Sequence, residues 1–361
     1  MLPFRNLLRH QAPAPRRLAL SLALQGGGAH GAFTWGVLDR LLEDERLEIA
    51  AVSGTSAGAC NAVALASGWC RGGRDGARQA LAQLWHGVAR KAGPAPMGTS
   101  AFAAFALDLA THLLSPYQLN PLGLNPLREL LSEVVDFRLI RQQCPMALLI
   151  AATEVRTGQC RIFREHELTA DMVLASACLP RLHHGVDVGG ALFWDGGFSS
   201  NPPVMALAEL ALSPTLLLVR LNPLAAHRLP RSAAAIRNRT AEIMFGRPLD
   251  DELARLEDAR RLGGHRWLNL LQPRLHHLAG LDLQVIDGDA TLARLDPATR
   301  VSPDRRLLER LRDEGRAAAH TWLGGWAGPA KGPATAPPIP ARLRLRPRLH
   351  PVPVAAPGSR P

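Results

Sequence analysis

Hydrophobic and polar positions follow two periods along this chain, and the two alternate. Leu18–Leu24 is an apolar run with hardly any alternation, which predicts a strand buried on both faces. A glycine cluster follows. From about Ala32 to Glu43 the period becomes helical: Phe33, Val37 and Leu41 form one stripe with Leu38 and Leu42 beside it, while Thr34, Asp39, Arg40 and Glu43 face out. Ile49–Ser53 is again strand-like and runs into a second small-residue turn, after which Ala57 to Ala66 is a helix made almost wholly of small residues. The order strand, loop, helix, strand, turn, helix predicts an α/β architecture around a mostly parallel sheet.

The same reading extends down the chain. It predicts a helix from Gly76 to Arg90, one opened by Asn125-Pro126 and running through Val135, and a long strand at Met146–Val155 that turns at Thr157-Gly158 into a hairpin partner at Cys160–Phe163. Thr169 is placed to cap a short helix from Ala170 to Cys178. Residues 185–194 read as a strand pair about Gly189-Gly190, Asn201-Pro202 as a helix start, and Thr215–Leu221 as a buried strand. Two helices are expected at 232–245 and 250–262, a last strand at Trp267–Leu271, and a terminal helix from Ser302-Pro303 with Leu307, Leu311, Ala318 and Trp322 on one face. Residues 94–125 are rich in Phe and Leu with Asp108 as the sole charge, and periodicity does not separate a core segment from an apolar lid or lipid-contacting wall.

Charge changes the picture at the ends. The chain of 361 residues has a formal net charge of +11. Residues 1–20 and 327–361 hold Arg and Lys but no acid and carry nearly all of it, so the body is close to neutral. That distribution argues against nucleic acid as a partner, since a nucleic-acid enzyme spreads basic charge over its folded surface. Residues 1–16 and the Pro/Ala/Arg-rich stretch 327–361 lack periodicity and are expected to be disordered ends around a domain at 17–326. Within the second of these, Arg342, Arg344, Arg346 and Arg348 alternate with leucine and proline; a solvated tail and an anchor for anionic bilayers are both compatible with that pattern. Five cysteines without metal-ligand spacing suggest buried thiols in a reducing compartment, so a cytoplasmic protein, with peripheral membrane contact through 94–125 and the basic tail, is the expectation.

The candidate chemistry lies in three short stretches. Gly54-Thr55-Ser56-Ala57-Gly58 has the Gly-x-Ser-x-Gly pattern of a nucleophile elbow, in which small neighbours let a serine stand on a strained turn between strand and helix. On its own the pattern reads better as a glycine-bounded helix start with a serine in it. Gly26-Gly27-Gly28-Ala29-His30-Gly31 matches a dinucleotide fingerprint, but the next strand ends in Val52-Ser53 without the acidic residue that would hold a ribose. The other role for this loop is an oxyanion hole, with amides of Gly27, Gly28 and Ala57 converging on a developing charge. A serine needs a base. His30 is placed to shape the glycine loop, and His183 and His184 read as solvated loop residues. Asp195, before Gly196-Gly197, is the better candidate base, although an Asp-Gly-Gly turn is common without any catalytic role.

In combination these stretches resemble the patatin-like phospholipase family. The resemblance rests on the glycine loop, the Ser56 elbow and Asp195-Gly196-Gly197, supported by Leu174-Ala175-Ser176-Ala177-Cys178-Leu179-Pro180 and Asn201-Pro202-Pro203, and covers about residues 18–222. It implies a patatin-like three-layer fold and a lipid acyl hydrolase of phospholipase A or lysophospholipase type, with no cofactor, metal or catalytic histidine. In that reading Ser56 is the nucleophile and Asp195 the general base. Gly26, Gly27, Gly28, Gly31 and Ala57 form the oxyanion hole, and Gly54, Gly58, Gly196 and Gly197 are the elbow and turn glycines. Gln25 stands where some relatives carry Asp. Transfer of the acyl group to another alcohol, and a catalytically silent lipid-binding module, are the alternatives.

Overall fold

The computed structural model describes residues 17–91, 115–120, 123, 125–222, 229–263, 277–300, 304–326 and 328. In chain order, β1 (Leu18–Leu24) leads through the glycine loop to α1 (Gly31–Leu42), and β2 (Leu47–Thr55) leads to α2 (Ala57–Lys91). α2 is broken at Gly72-Gly73, where Gly73 has φ 59°, into the elbow helix and the second helix expected after it. Then come α3 (Pro126–Val134), α4 (Phe137–Gln143), the hairpin β3 (Ala147–Glu154) and β4 (Cys160–Arg164), and α5 (Ala170–Ser176). A second hairpin, β5 (Val186–Val188) and β6 (Ala191–Asp195), precedes α6 (Val204–Ala208), β7 (Thr215–Arg220), α7 (Ala233–Gly263), β8 (Asp282–Asp287) and α8 (Arg305–Gly325).

Among the described residues, eight strands form one sheet in the order β5-β6-β3-β2-β1-β7-β8, with β4 also on β3. The run β3-β2-β1-β7-β8 is parallel, and β4, β5 and β6 add antiparallel pairs at one side. Successive side chains of a strand point to opposite faces, and here they enter two separate cores. Leu22, Val52, Leu148, Ile150 and Leu217 face α1, α2 and α8. Ala23, Ala51, Leu149, Leu216 and Leu218 face α6 and α7. The result is three layers, helix on sheet on helix, which explains why the central strands hardly alternate in sequence.

Register at β3 decides where the chemistry falls. β2 pairs with β3 as far as Thr55 opposite Ala151, and β6 pairs with β3 beginning at Asp195 opposite Ala152. β4 fills the other edge of β3 at these same residues. β2 and β6 therefore meet end to end along one edge of β3, and the residue after Thr55 is brought beside Asp195.

Several expectations are corrected. The helices expected at 232–245 and 250–262 are one helix running through Pro248. Proline in a helix costs a hydrogen bond and roughly 3 kcal/mol, and contacts just after it offset this. Leu249 and Leu256 are buried on the sheet, and the Glu252 carboxylate accepts bonds from the Ser200 hydroxyl at 3.2 Å and the Met205 amide at 2.7 Å. The last strand is Asp282–Asp287, an edge strand whose acids pair or face solvent; Trp267–Leu271 lies outside the described residues. The terminal helix starts at Arg305, capped by Asp304, whose carboxylate accepts the Leu307 amide. Its buried line is Leu308, Leu311, Gly315, Ala319 and Leu323, with Leu307 beside it, rather than the Ala318 and Trp322 line. The helix expected to open at Asn201-Pro202 begins at Val204, and Asn201 serves the site instead. The helix capped by Thr169 ends at Ser176, short of Cys178. Residues 1–16 lie outside the described residues, as do most of 94–125 and all of the tail but Gly328.

Gly36 and Gly315 explain how α1 and α8 come so close. A β-carbon on Gly36 would lie 1.9 Å from the Arg312 carbonyl oxygen, and one on Gly315 would lie 2.0 Å from that of Phe33. In an exposed helix, Gly→Ala gains up to about 1 kcal/mol. Here the backbones must part, and overpacking of this kind costs about 1–3 kcal/mol. Gly36→Ala and Gly315→Ala are each expected to lower Tm by several degrees, since about 2–4 °C accompanies each kcal/mol in a large domain. Thermal melts of both variants check this; a Tm at or above that of the parent chain would contradict the crossing.

Candidate active site

Ser56 sits at the apex of the turn from β2 to α2 with φ 56°. Non-glycine residues avoid that region at a cost of about 1–3 kcal/mol, so the surroundings must enforce it. They do so by leaving backbone against backbone. A β-carbon on Gly54 would lie 2.5 Å from the Gly58 carbonyl oxygen, and one on Gly58 would lie 2.1 Å from that of Leu24. The Ser56 amide is held by the Ser176 hydroxyl oxygen at 3.0 Å, and the Thr55 hydroxyl donates to the Ser200 carbonyl at 2.8 Å. Ser56 itself is half-buried.

Asp195 is 1 % exposed. Its amide donates to the Cys178 carbonyl at 2.8 Å, and its own carbonyl accepts the Thr153 hydroxyl at 2.8 Å. One carboxylate oxygen, Oδ1, accepts the Gly197 amide at 2.7 Å. The other, Oδ2, is buried without a partner of ordinary hydrogen-bond geometry among the described residues. Ser56 is nonetheless close enough for its hydroxyl to stabilise the charged carboxylate. Such contacts are often long or poorly aligned in the absence of substrate. Burial dominates the ionisation and pushes Asp195 up to about 7, against the lowering effect of the Gly197 amide and the Ser56 hydroxyl. Burial, followed by the Asp195 charge, raises the neighbouring thiols of Cys60 and Cys178 to about 12. All five cysteines are free; Cys60 and Cys178 are buried as expected, but Cys160 is exposed.

The glycine loop packs directly on the elbow. A β-carbon on Gly26 would lie 2.9 Å from that of Ser56. The Gly26 amide, however, donates to Asn201 Oδ1 at 2.8 Å, and Asn201 Nδ2 donates onward to the Phe245 carbonyl at 2.9 Å. Gly31 is likewise committed: its amide bonds back within the loop, Asn61 holds its carbonyl at 3.0 Å, and its α-carbon packs against Ala57 and Trp85. Of the expected oxyanion donors this leaves Gly27, Gly28, which has φ 60°, and Ala57 at the first turn of α2. Gln25 supports the loop from below, its Oε1 accepting the Leu221 and Asn222 amides at 2.7 and 2.9 Å.

Of the three candidate histidines, His30 and His184 are occupied elsewhere. His30 is buried, with Nε2 at 2.8 Å from the Thr299 hydroxyl, and burial followed by the Arg300 charge pulls its pKa down to about 4. His183 and His184 are half-buried rather than solvated. His184 stacks on Tyr117 with ring centroids 4.1 Å apart, and burial lowers the pKa of His183. Sequence reasoning missed the roles of Ser176 and Asn201, although both stand in stretches it singled out.

A patatin-like phospholipase family model matches residues 22–208, more than half of the chain. The protein belongs to the patatin-like phospholipase family. Membership accounts for the α/β fold with its mostly parallel central sheet and points to hydrolysis of lipid acyl esters. No curated protein matches the chain. Among solved structures it is similar to VipD from Legionella pneumophila at 16 % identity and a TM-score of 0.38, over 86 % of this chain and 67 % of that one.

Two predictions follow from this geometry. An acid whose folded pKa lies above its unfolded value supports folding at low pH and loses that support as pH rises through the folded pKa. For Asp195 the window runs from the ordinary value of 3.8 to about 7. Asp195→Asn is therefore expected to melt above the parent chain at pH 8, with the gap shrinking towards pH 4; a gap that widens on acidification would contradict the raised pKa. Ser176→Ala strips the Ser56 amide of its partner, a loss of about 1–3 kcal/mol for a buried donor. Steady-state kinetics on a soluble ester are expected to show kcat down about tenfold with KM little changed, the mark of a positioning residue.

Proposed function

We propose that the protein is a lipid acyl hydrolase that cleaves carboxylic esters of phospholipids or lysophospholipids through a Ser56–Asp195 dyad. The observation that carries this reading is the strained Ser56 at the end of β2, set beside a buried Asp195 whose carboxyl titrates near 7. A base poised near the working pH combines a useful population of the charged form with enough basicity to accept a proton. The functional unit in this reading is 17–326.

The steps balance without a histidine. As Ser56 Oγ attacks the ester carbonyl, its proton passes to the Asp195 carboxylate, and the negative charge on the carbonyl oxygen faces the amides of Gly27, Gly28 and Ala57. Collapse of this intermediate expels the alcohol, which takes the proton from Asp195 and leaves acyl-Ser56. Asp195 then accepts a proton from water as that water attacks the acyl group. The second collapse releases the carboxylic acid and returns the proton to Ser56. Among the described residues no cluster of three or more His, Cys, Asp or Glu side chains is placed to hold a metal ion, and every step above uses the chain's own groups.

Release of fatty acid from phospholipid, followed by mass spectrometry, tests the proposal. Ser56→Ala and Asp195→Asn are each expected to remove at least about a thousandfold of kcat, as loss of a nucleophile or its base does elsewhere, while His183→Ala retains the activity. For the parent chain kcat/KM is expected to rise about tenfold per pH unit up to about 7 and then level, because only the carboxylate form accepts the proton. Full activity in either dyad variant would overturn the assignment.

A further inference from the structure

α7 is two different helices in its surroundings. From Ala235 to Pro248 none of its side chains is buried, whereas Leu249, Leu256 and Ala259 pack on the sheet. The inner side of the first half is nevertheless fixed to the site. The Phe245 carbonyl holds Asn201, and the Phe245 ring lies 4.8 Å from that of Phe198 and against the α-carbon of Gly197. Glu242 pairs with Arg239 at 3.2 Å and Arg300 at 3.8 Å.

The outer side exposes large apolar residues, interleaved with Thr240 and Arg247, where a surface helix is normally polar. Ile236, Ile243 and Met244 are 50 %, 52 % and 47 % exposed, and their spacing of seven and eight residues sets them on one side of the helix. Leu229, just before the helix, is 83 % exposed. Exposed arginines accompany the stripe at Arg231, Arg237 and Arg247, the last paired with Asp251 at 3.1 Å. Exposed apolar residues interleaved with arginine suit a helix that lies in a membrane interface.

We propose that the outward face of the first half of α7 seats the protein on a phospholipid bilayer. The inference rests on the lipid-ester reading above. The occupant follows from continuity: the helix that exposes the stripe also forms the wall behind the Asp195–Phe198 turn, so seating it places the site at the surface where a phospholipid ester lies. The arginines match the phosphates of that surface. Since Arg247 already has an acidic partner, the apolar residues carry most of the binding, and attachment survives added salt better than a purely basic anchor would.

The experiment uses the full chain and vesicles of phosphatidylcholine with one-fifth phosphatidylglycerol, read by flotation. The triple variant Ile236→Ser, Ile243→Ser, Met244→Ser is expected to lower vesicle partitioning by about tenfold or more. Its Tm, its elution as an oligomer or monomer, and its kcat/KM on a soluble short-chain ester should match the parent. Ile243→Trp is expected to raise partitioning, because tryptophan favours the interface. Unchanged partitioning in both variants overturns the proposal. So does a parent dimer that the triple variant splits without loss of vesicle binding, since the stripe would then face a second copy. The two readings separate cleanly: stripe-dependent vesicle binding by a chain inactive on every lipid ester would sink the catalytic assignment and leave the docking face standing.

Discussion

A serine forced into a left-handed backbone is the constraint on which the rest of this structure depends. Nothing in Ser56 itself favours φ 56°. The conformation persists because β1, β2 and the first turn of α2 approach one another as bare backbone, and because Ser176 takes the amide that the turn leaves unpaired. Any extra carbon at Gly54 or Gly58 would push these elements apart. The strain is therefore held by packing across two layers, and the hydroxyl stands clear of the sheet as a consequence.

The partner carboxylate is governed by a different balance. Full burial removes water from Asp195, and one good amide bond at Oδ1 does not make up for it, so the group titrates near neutrality. The Ser56 hydroxyl also favours the charged form, and the end-to-end meeting of β2 and β6 along β3 is what brings it beside the carboxylate.

The central strands were legible because each is buried on both faces and has no other reading; Leu18–Leu24 and Thr215–Arg220 match within a residue. Edges were less so. Asp282–Asp287 carries two acids and one glutamine, and its half-exposed pattern did not stand out from loop. Pro248 stands in the gap between the two expected helices, while tertiary contacts through Leu249 and Glu252 keep the helix continuous across it. At the site, the short glycine-rich stretches named the positions now found together. They did not distinguish glycines that offer an amide from those that only make room, because that depends on distant residues. Asn201, 175 positions away, is what removes the Gly26 amide from use.

The crossing of α1 with α8 has a consequence for synthesis. Phe33 and Gly36 lie near the start of the chain, and their partners Arg312 and Gly315 near its far end. A ribosome adding about 5–20 residues per second takes roughly 15–60 s to travel between them. During that interval the face of α1 that carries Phe33, Gly36 and Val37 has no terminal helix to cover it. The nascent chain must therefore wait with part of its first core open, a window in which a chaperone has something to hold and a premature stop leaves apolar surface bare.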